Sequence, residues 1–279
     1  MRSLWFLICT AEVRTKKIQY ARRKIADTIN SFVLERYLYL GLNFASFIVP
    51  FLCSFYPRAP FRKKWKWTIP AILFTAIVFI VWDALFTLQG VWGFNPQYLI
   101  GISILGLPLE ELLFFFCIPY ACLFTYFSLY NLVKSDAVFP YRITISWVLG
   151  LALILIGVWN FDRLYTSVTF VSTGTVVLWL GVKQRASWLG RFYAAFAILL
   201  IPFFLVNGAL TGLFTPEPVV WYNNSENLGL RITTIPAEDI VYALLMLIIP
   251  VALWERWESR DQRPPTERDA TRTAVNSPD

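Results

Sequence analysis

The chain has 279 residues, of which 57% are hydrophobic, 18% aromatic and only 15% charged. A soluble domain is about a quarter charged, so this composition predicts an integral membrane protein. It contains no histidine, which removes the commonest metal ligand and proton shuttle, and it has no phosphate-binding or dinucleotide glycine motif. We therefore expect neither metal nor cofactor. The net charge of +7 comes from short loops between apolar segments, which indicates membrane topology rather than nucleic-acid binding.

Seven apolar segments follow one another along the chain, and each approaches the ~20 residues that a transmembrane helix needs. They are predicted over residues 37–56, 68–88, 108–133, 143–160, 164–182, 192–214 and 237–254. The breaks between them carry prolines or charged residues. The predicted fold class is therefore an all-α integral membrane protein with about seven transmembrane helices.

Lysine and arginine predict the orientation of these helices. They are concentrated in loops 57–67, 134–142 and 183–191 and in the tail after residue 254, whereas the opposite loops carry only Arg163 and Arg231. The positive-inside rule then predicts a multi-pass protein of the cell (cytoplasmic) membrane with a cytoplasmic C-terminus. The basic residues 1–34 disagree with this orientation. Met1 is followed by no methionine before Met246, so we interpret residues 1–34 as a misassigned start, with a genuine cytoplasmic extension as the alternative.

A motif occurs twice with an offset of 128 residues, at 95–114 and 223–242. Asn, Gly, Ile, Pro and Glu coincide in the two copies, and Glu111 falls on Asp239. Tyr37 and Tyr165 keep the same offset. This repetition predicts two parallel three-helix repeats, 35–133 and 164–254, related by an axis along the membrane normal. A linker with its own transmembrane helix (134–163) joins them, and 255–279 are predicted to be a charged, disordered tail.

Each copy places two adjacent carboxylates after a proline at the start of a helix. One interpretation is structural, since acids in the first turn complement the helix dipole. The functional interpretation is favoured because the acids recur in the same framing and lie within apolar sequence, where carboxylates are costly. We expect one copy to hold a protonated acid and the other an ionised one. Neighbours on a helix point about 100° apart. We predict that all four acids are catalytic residues. Glu110 and Glu238 are expected to face inward as a pair, and Glu111 and Asp239 are expected to orient them.

Further polar and aromatic residues are candidates for lining a substrate or cation site. Asp83 lies in the second predicted span, and Asn207 occupies the comparable place in the sixth. Aromatic residues in the weakly charged loops are explained by interfacial belts, but ring faces also attract cations. The candidates are Asp83, Trp82, Trp92, Phe94, Asn95, Phe114, Asn207, Trp221, Tyr222, Asn223 and Tyr242.

The sequence Pro108-Leu109-Glu110-Glu111 and its partner Pro236-Ala237-Glu238-Asp239 resemble the lycopene cyclase domain of small membrane carotenoid cyclases. Tyr37-Leu38-Tyr39-Leu40, Trp82-Asp83 and the stretch beginning at Asn207 are also similar to that family. The resemblance extends from about residue 36 to residue 254. Its tandem arrangement is similar to the fused form of the heterodimeric bacterial cyclases.

The resemblance implies a lycopene β-cyclase that converts acyclic (ψ) ends of lycopene to β-rings, giving γ-carotene and/or β-carotene. The reaction is started by a proton, is redox-neutral and needs no cofactor. The expected partners are a lipophilic carotene in the bilayer and membrane lipids, with possible contact to other carotenoid-pathway enzymes or to a second copy of the chain. No nucleic-acid partner is expected.

The main alternative is a proton-coupled membrane transporter or channel that uses the paired carboxylates. Such proteins usually have broken helices near the midplane, whereas the motifs here lie at helix starts. A retinal photoreceptor would need a lysine inside a span, and every lysine lies outside the predicted spans. A membrane prenyltransferase would need spaced aspartate clusters. A non-catalytic assembly subunit remains as a further alternative, and it would be indifferent to loss of Glu110.

Overall fold

The computed structural model describes residues 35–132 and 136–262. The predicted basic extension and residues 263–279 of the predicted tail lie outside the described residues. Seven helices follow in chain order: α1 (Leu38–Cys53), α2 (Trp65–Leu88), α3 (Leu109–Leu132), α4 (Arg142–Trp159), α5 (Leu164–Leu178), α6 (Leu189–Leu210) and α7 (Ala237–Asp261). A 3₁₀ turn, Phe61–Lys64, precedes α2, and a π-helical segment, Trp179–Lys183, extends α5.

Six helical segments of the described chain are long and apolar enough to cross a membrane. The helix α1 is shorter, because 16 residues at ~1.5 Å each span about 24 Å. Large apolar side chains such as Val148, Leu151 and Leu155 of α4 face outward, as expected for a surface in contact with lipid. The prediction of an all-α, multi-pass membrane protein is confirmed.

The two predicted repeats are α1–α3 and α5–α7, and they meet through the loops that precede α3 and α7. Strand β1 (Trp92–Phe94) pairs antiparallel with β4 (Val220–Tyr222), with Gly93 opposite Trp221 at the centre. The backbone N–H of Asn95 donates to the carbonyl of Val219 (2.8 Å), and that of Asn223 donates to the carbonyl of Val91 (2.9 Å). Because equivalent loops join at one end of the bundle, the repeats run in the same direction, with α4 as the linking helix.

A short hairpin positions the start of each acidic helix. In the first repeat, β2 (Ser103–Ile104) and β3 (Leu107–Pro108) enclose Leu105 and Gly106, both with positive φ (56° and 81°), as a two-residue hairpin requires. Strands β5 (Arg231–Ile232) and β6 (Ile235–Pro236) form the equivalent hairpin. The helix α3 then begins directly after β3, and α7 after β6. The hairpins therefore fix where the four motif carboxylates lie.

The end of the bundle opposite these hairpins is closed by side chains from the 3₁₀ turn before α2 and from α2, α3 and α7. Lys64 pairs with Glu258, Lys66 Nζ lies 2.5 Å from Asp261 Oδ2, and the Tyr126 hydroxyl donates to Glu255 Oε1 (2.8 Å). These contacts hold the last turns of α7 against the bundle. Residues 255–261 are therefore helical, and the prediction that the disordered tail starts at residue 255 is wrong.

Candidate active site

A cavity of about 260 Å³ lies between the two repeats beneath the β1–β4 pair. Three carboxylates line it, and they come from three different helices: Asp83 on α2, Glu111 on α3 and Asp239 on α7. All three side chains are buried. Acids buried among apolar helices are costly unless they are hydrogen-bonded or functional, so their partners are informative.

Tyrosine hydroxyls bind the carboxylates that the motif supplies. Tyr39 on α1 donates to Glu111 Oε2 at 2.5 Å. Tyr165 on α5 donates to Asp239 Oδ1 at 2.6 Å, in the equivalent arrangement. Tyr165 is therefore the counterpart of Tyr39, whereas Tyr37, which keeps the 128-residue offset, is half exposed. Equivalent residues in the first helix of each repeat are therefore not separated by the 128 residues that separate equivalent residues in the motif.

A second donor reaches the carboxylate of the second repeat only. Tyr222 on β4 donates to Asp239 Oδ2 at 2.9 Å. The residue at the equivalent position of the first repeat is Phe94, which also lines the cavity but has no hydroxyl. Burial, followed by the negative charge of Asp239, raises the pKa of Tyr222 well above the usual 10.0, so this phenol keeps its proton and remains a donor. The two motif carboxylates therefore differ in how many hydroxyl groups they bind.

The third carboxylate belongs to the first repeat alone. The indole N–H of Trp92 donates to Asp83 Oδ1, while Asp83 Oδ2 is buried and has no hydrogen-bond partner among the described residues. Trp92 is replaced by Val220 at the equivalent position of the second repeat. The first repeat therefore adds an acid with one free oxygen to the cavity.

Aromatic rings surround these acids. The ring centroids of Trp92 and Tyr165 are 5.0 Å apart, and those of Tyr165 and Tyr222 are 6.0 Å apart in a stacked arrangement. Tyr242 on α7 meets Trp92 at 6.1 Å and Phe79 of α2 at 5.1 Å. Ring faces attract cations, and the carboxylates beside these rings are buried. The site can therefore exchange protons and stabilise positive charge.

The family model for lycopene cyclase matches the chain twice, at residues 36–129 and 162–257. The chain belongs to the lycopene cyclase family. Each matched range covers most of one repeat, including its tyrosine, hairpin and paired acids, so this cyclase is the fused, tandem form. No match is found among the curated proteins or among the solved structures.

The other two motif acids of the cyclase are turned away from the cavity. Glu110 Oε1 accepts a hydrogen bond from the backbone N–H of Ile100, and Glu238 Oε1 accepts one from that of Leu228, both at 2.7 Å. Thr166 also donates to Glu238 Oε1 (2.7 Å). Both glutamates are fully buried, and neither lines the cavity.

The prediction that Glu110 and Glu238 face inward is therefore wrong. Each is held by the loop that precedes its hairpin, and its helical neighbour then points about 100° away, towards the cavity. Glu111 and Asp239 are the inward pair. Sequence spacing alone could not decide this, because the deciding donors are backbone N–H groups ten residues earlier.

The remaining candidates divide into two groups. Those that line the cavity of the cyclase are Asp83, Trp92, Phe94, Phe114, Asn207, Tyr222 and Tyr242. Trp82 lies behind it and packs on Tyr242 (5.6 Å). Asn95 and Asn223 accept hydrogen bonds from backbone N–H groups two residues later, so they form turns, as asparagine commonly does. Trp221 is 44% exposed and covers Gly93 from outside.

Tyr39 and Tyr165 were missed as site residues. A tyrosine near the end of an apolar segment is typical of an interfacial anchor, so its type and place gave no distinguishing signal. A comparison of the two repeats that allowed a shifted offset in the first helix would have aligned these tyrosines.

Proposed function

We propose that this cyclase converts the acyclic ends of lycopene to β-rings, giving γ-carotene and/or β-carotene, by a proton-initiated, redox-neutral cyclisation. One observation carries the proposal: Asp83, Glu111 and Asp239, contributed by both repeats, meet in one cavity whose walls are mainly aromatic and aliphatic. Family membership supports a carotene substrate. The carboxylates supply the acid and the base that such an isomerisation needs.

The chemistry requires one proton to enter and one to leave. A carboxylic acid protonates C2 of the terminal double bond, which leaves a cation at C1. The electrons of the C5=C6 bond close the ring on C1 and move the positive charge to C5. A carboxylate then removes the proton from C6, and the new C5=C6 bond completes the β-ring. Substrate and product are isomers, so no oxidant or reductant is consumed.

We assign the base to Asp239 and the acid to Glu111. An ionised carboxylate only accepts hydrogen bonds, and Asp239 receives two of them, from Tyr165 and Tyr222. Glu111 receives one, from Tyr39, which leaves an oxygen that can carry a proton. Asp83, with its free Oδ2, is the remaining group that can pass a proton within the cavity. Asp239 returns the proton to Glu111 after each cycle.

The aromatic wall supports the cationic stage of this reaction. Rings of Trp92, Tyr165, Tyr222 and Tyr242 surround the carboxylates, and their faces stabilise positive charge. Water would capture the cation as an alcohol, so the roof formed by β1 and β4 favours ring closure.

We further propose that the protein lies in the cell membrane with the basic end of the bundle, including the end of α7, in the cytoplasm. Lys64 and Lys66 lie at that end, and the carboxylate cavity lies towards the other. Contacts with other carotenoid-pathway enzymes or with a second copy stay predictions.

The proposed function is tested by expressing the chain in bacteria that accumulate lycopene and separating the pigments by chromatography. The wild-type protein is expected to form cyclic carotenes. Glu111→Gln and Asp239→Asn are each expected to lower conversion by about a hundredfold or more, because general acid–base catalysis typically contributes ~10²–10⁴-fold.

Matched controls are the exposed acids Glu217→Gln and Asp162→Asn, which should convert lycopene like the wild type. Glu110→Gln and Glu238→Gln keep a side-chain oxygen that accepts the hydrogen bond from the loop N–H. These variants should therefore lose less of the lycopene conversion than Glu111→Gln does. Persistence of lycopene with intact wild-type protein in the membrane would refute the function. Full activity of Glu111→Gln and Asp239→Asn would refute the assigned roles.

A further inference from the structure

The cavity does not end at the carboxylates but continues along α3. Its lining residues on that helix include Glu111, Ile118, Ala121 and Thr125, which share one face. At ~1.5 Å per residue, the stretch from Glu111 to Thr125 is about 21 Å long. We call the part beyond the carboxylates the tail groove; it is lined by Ser46 and Pro50 of α1, Ala121 and Thr125 of α3, and Phe196 and Phe203 of α6.

The tail groove lies on one side of the pseudo-twofold axis only. At the interface between α2 and α7, Phe79 and Trp82 pack their rings on Tyr242 (5.1 and 5.6 Å), and the Lys64–Glu258 pair closes the far end. At the interface between α3 and α6, the facing side chains line open space instead. The two inter-repeat interfaces are therefore unequal, and the cavity extends along the second one.

The walls of the tail groove suit an uncharged, extended chain. Aromatic and aliphatic side chains dominate, and none of the residues that define the groove carries a charge. The hydroxyl of Thr125 is already satisfied, because it donates to the Ala121 carbonyl at 2.9 Å. A ligand there gains from apolar burial and does not leave the Thr125 hydroxyl unpaired.

The groove also reaches the surface that faces lipid. Pro202 of α6 lines the cavity and is exposed, while Ser46 and Pro50 on α1 are partly exposed. The cavity volume of about 260 Å³ is below the ~300–1,000 Å³ of pockets that enclose whole drug-sized ligands. A long polyene therefore fits only in part, and the rest of it must lie outside in the hydrocarbon of the bilayer.

We propose that the tail groove binds the linear polyene of the substrate while its acyclic end lies at Asp83, Glu111 and Asp239. This inference rests on the proposed function. Because the three carboxylates open into this same groove, one polyene enters at a time and one end reacts in each binding event. The far end of the same molecule extends between α1 and α6 into lipid.

The test uses a side chain that blocks the groove far from the carboxylates. Ala121 lies about 15 Å along α3 from Glu111, at ~1.5 Å per residue, so Ala121→Phe should fill the groove without reaching the acids. The full-length protein in membranes is supplied with lycopene, and separately with a shortened acyclic terpenoid that has the same end group and a chain shorter than that distance. Ala197→Phe, on the exposed face of α6, is the matched control.

Ala121→Phe is expected to lower lycopene conversion by at least about tenfold while it converts the shortened substrate at the wild-type rate, which also shows that the variant is folded. Ala197→Phe should convert both substrates normally. Equal losses on the two substrates, or no loss on either, would overturn the groove assignment alone. Failure of the wild-type protein to convert either substrate would instead overturn the proposed function, and the groove assignment with it.

Discussion

The two repeats have the same backbone plan but surround their inward carboxylates differently. Glu111 in the first repeat is bound by Tyr39 alone, because Phe94 has no hydroxyl to offer. Asp239 in the second repeat is bound by Tyr165 and by Tyr222, which replaces that phenylalanine. The first repeat adds Asp83 instead. One duplicated framework therefore holds two chemically different acids, which is the division of labour that a proton donor and a proton acceptor require.

The largest effect expected from breaking this difference is loss of the two donors to Asp239. A hydrogen bond to a charged group contributes ~1.5–3 kcal/mol, so Tyr222→Phe should lower kcat for lycopene by about ten- to a hundredfold. The double variant Tyr165→Phe/Tyr222→Phe should lose more. KM should change little, since neither hydroxyl is expected to hold the apolar substrate. The measurement is conversion of lycopene by membranes with matched protein content.

Tyr141→Phe is the control for these variants, because Tyr141 is exposed and does not line the cavity. Tyr222→Phe with unchanged kcat would show that Tyr222 is only part of the wall.

A smaller effect is expected from disturbing the joint between the repeats at Gly93. A Cβ atom there would lie 2.3 Å from the Trp221 ring, so Gly93→Ala must displace that ring and loosen the roof over the carboxylates. Overpacking of this kind typically costs ~1–3 kcal/mol. We expect a lower thermal unfolding midpoint in detergent and reduced cyclisation.

Gly41→Ala is the matched control, since a Cβ at Gly41 of α1 meets nothing within 4 Å. The double variant Gly93→Ala/Trp221→Ala removes the clashing ring and should recover most of the lost stability. No recovery would mean that Gly93 matters for another reason.

The smallest effect is expected from making the repeats more alike. Phe94→Tyr places a hydroxyl where the first repeat lacks one, at the position equivalent to Tyr222. A second donor to Glu111 would favour its ionised form, so a smaller fraction of the protein would hold the proton that starts the reaction. Activity should then fall by less than about tenfold, with little change in stability. Steady-state kinetics of Phe94→Tyr beside Tyr222→Phe make the comparison. An equal or larger fall than in Tyr222→Phe would contradict the assignment of acid and base.

The sequence was sufficient to predict the membrane fold and the repeat. Long apolar segments and a motif with a 128-residue offset are strong signals, because helix length in a bilayer and duplication both leave direct traces. The acidic pairs were also located correctly as buried groups. Residues 255–261 were misjudged, because their charges suggested a solvated tail, whereas Glu258 and Asp261 pair with lysines some 195 residues earlier.

The orientation of the acids could not be read from the sequence. Whether Glu110 or Glu111 faces the cavity depends on the backbone N–H of Ile100, and a backbone donor leaves no mark on residue type. Tyr39 was hidden for a related reason, since the offset that joins the motifs does not hold in the first helix. Tertiary contacts decided these features.

The strand pair β1–β4, which joins the loops of the two repeats, is held mainly by the peptide backbone. The paired N–H and carbonyl groups of Asn95 with Val219 and of Asn223 with Val91 would form with almost any side chains at those positions. Apart from Gly93, which must stay small, the positions of this strand pair can accept many different residues. This strand pair can therefore persist while cavity-facing side chains such as Phe94 and Tyr222 change independently, so two chemically different carboxylate sites can occupy one symmetric framework.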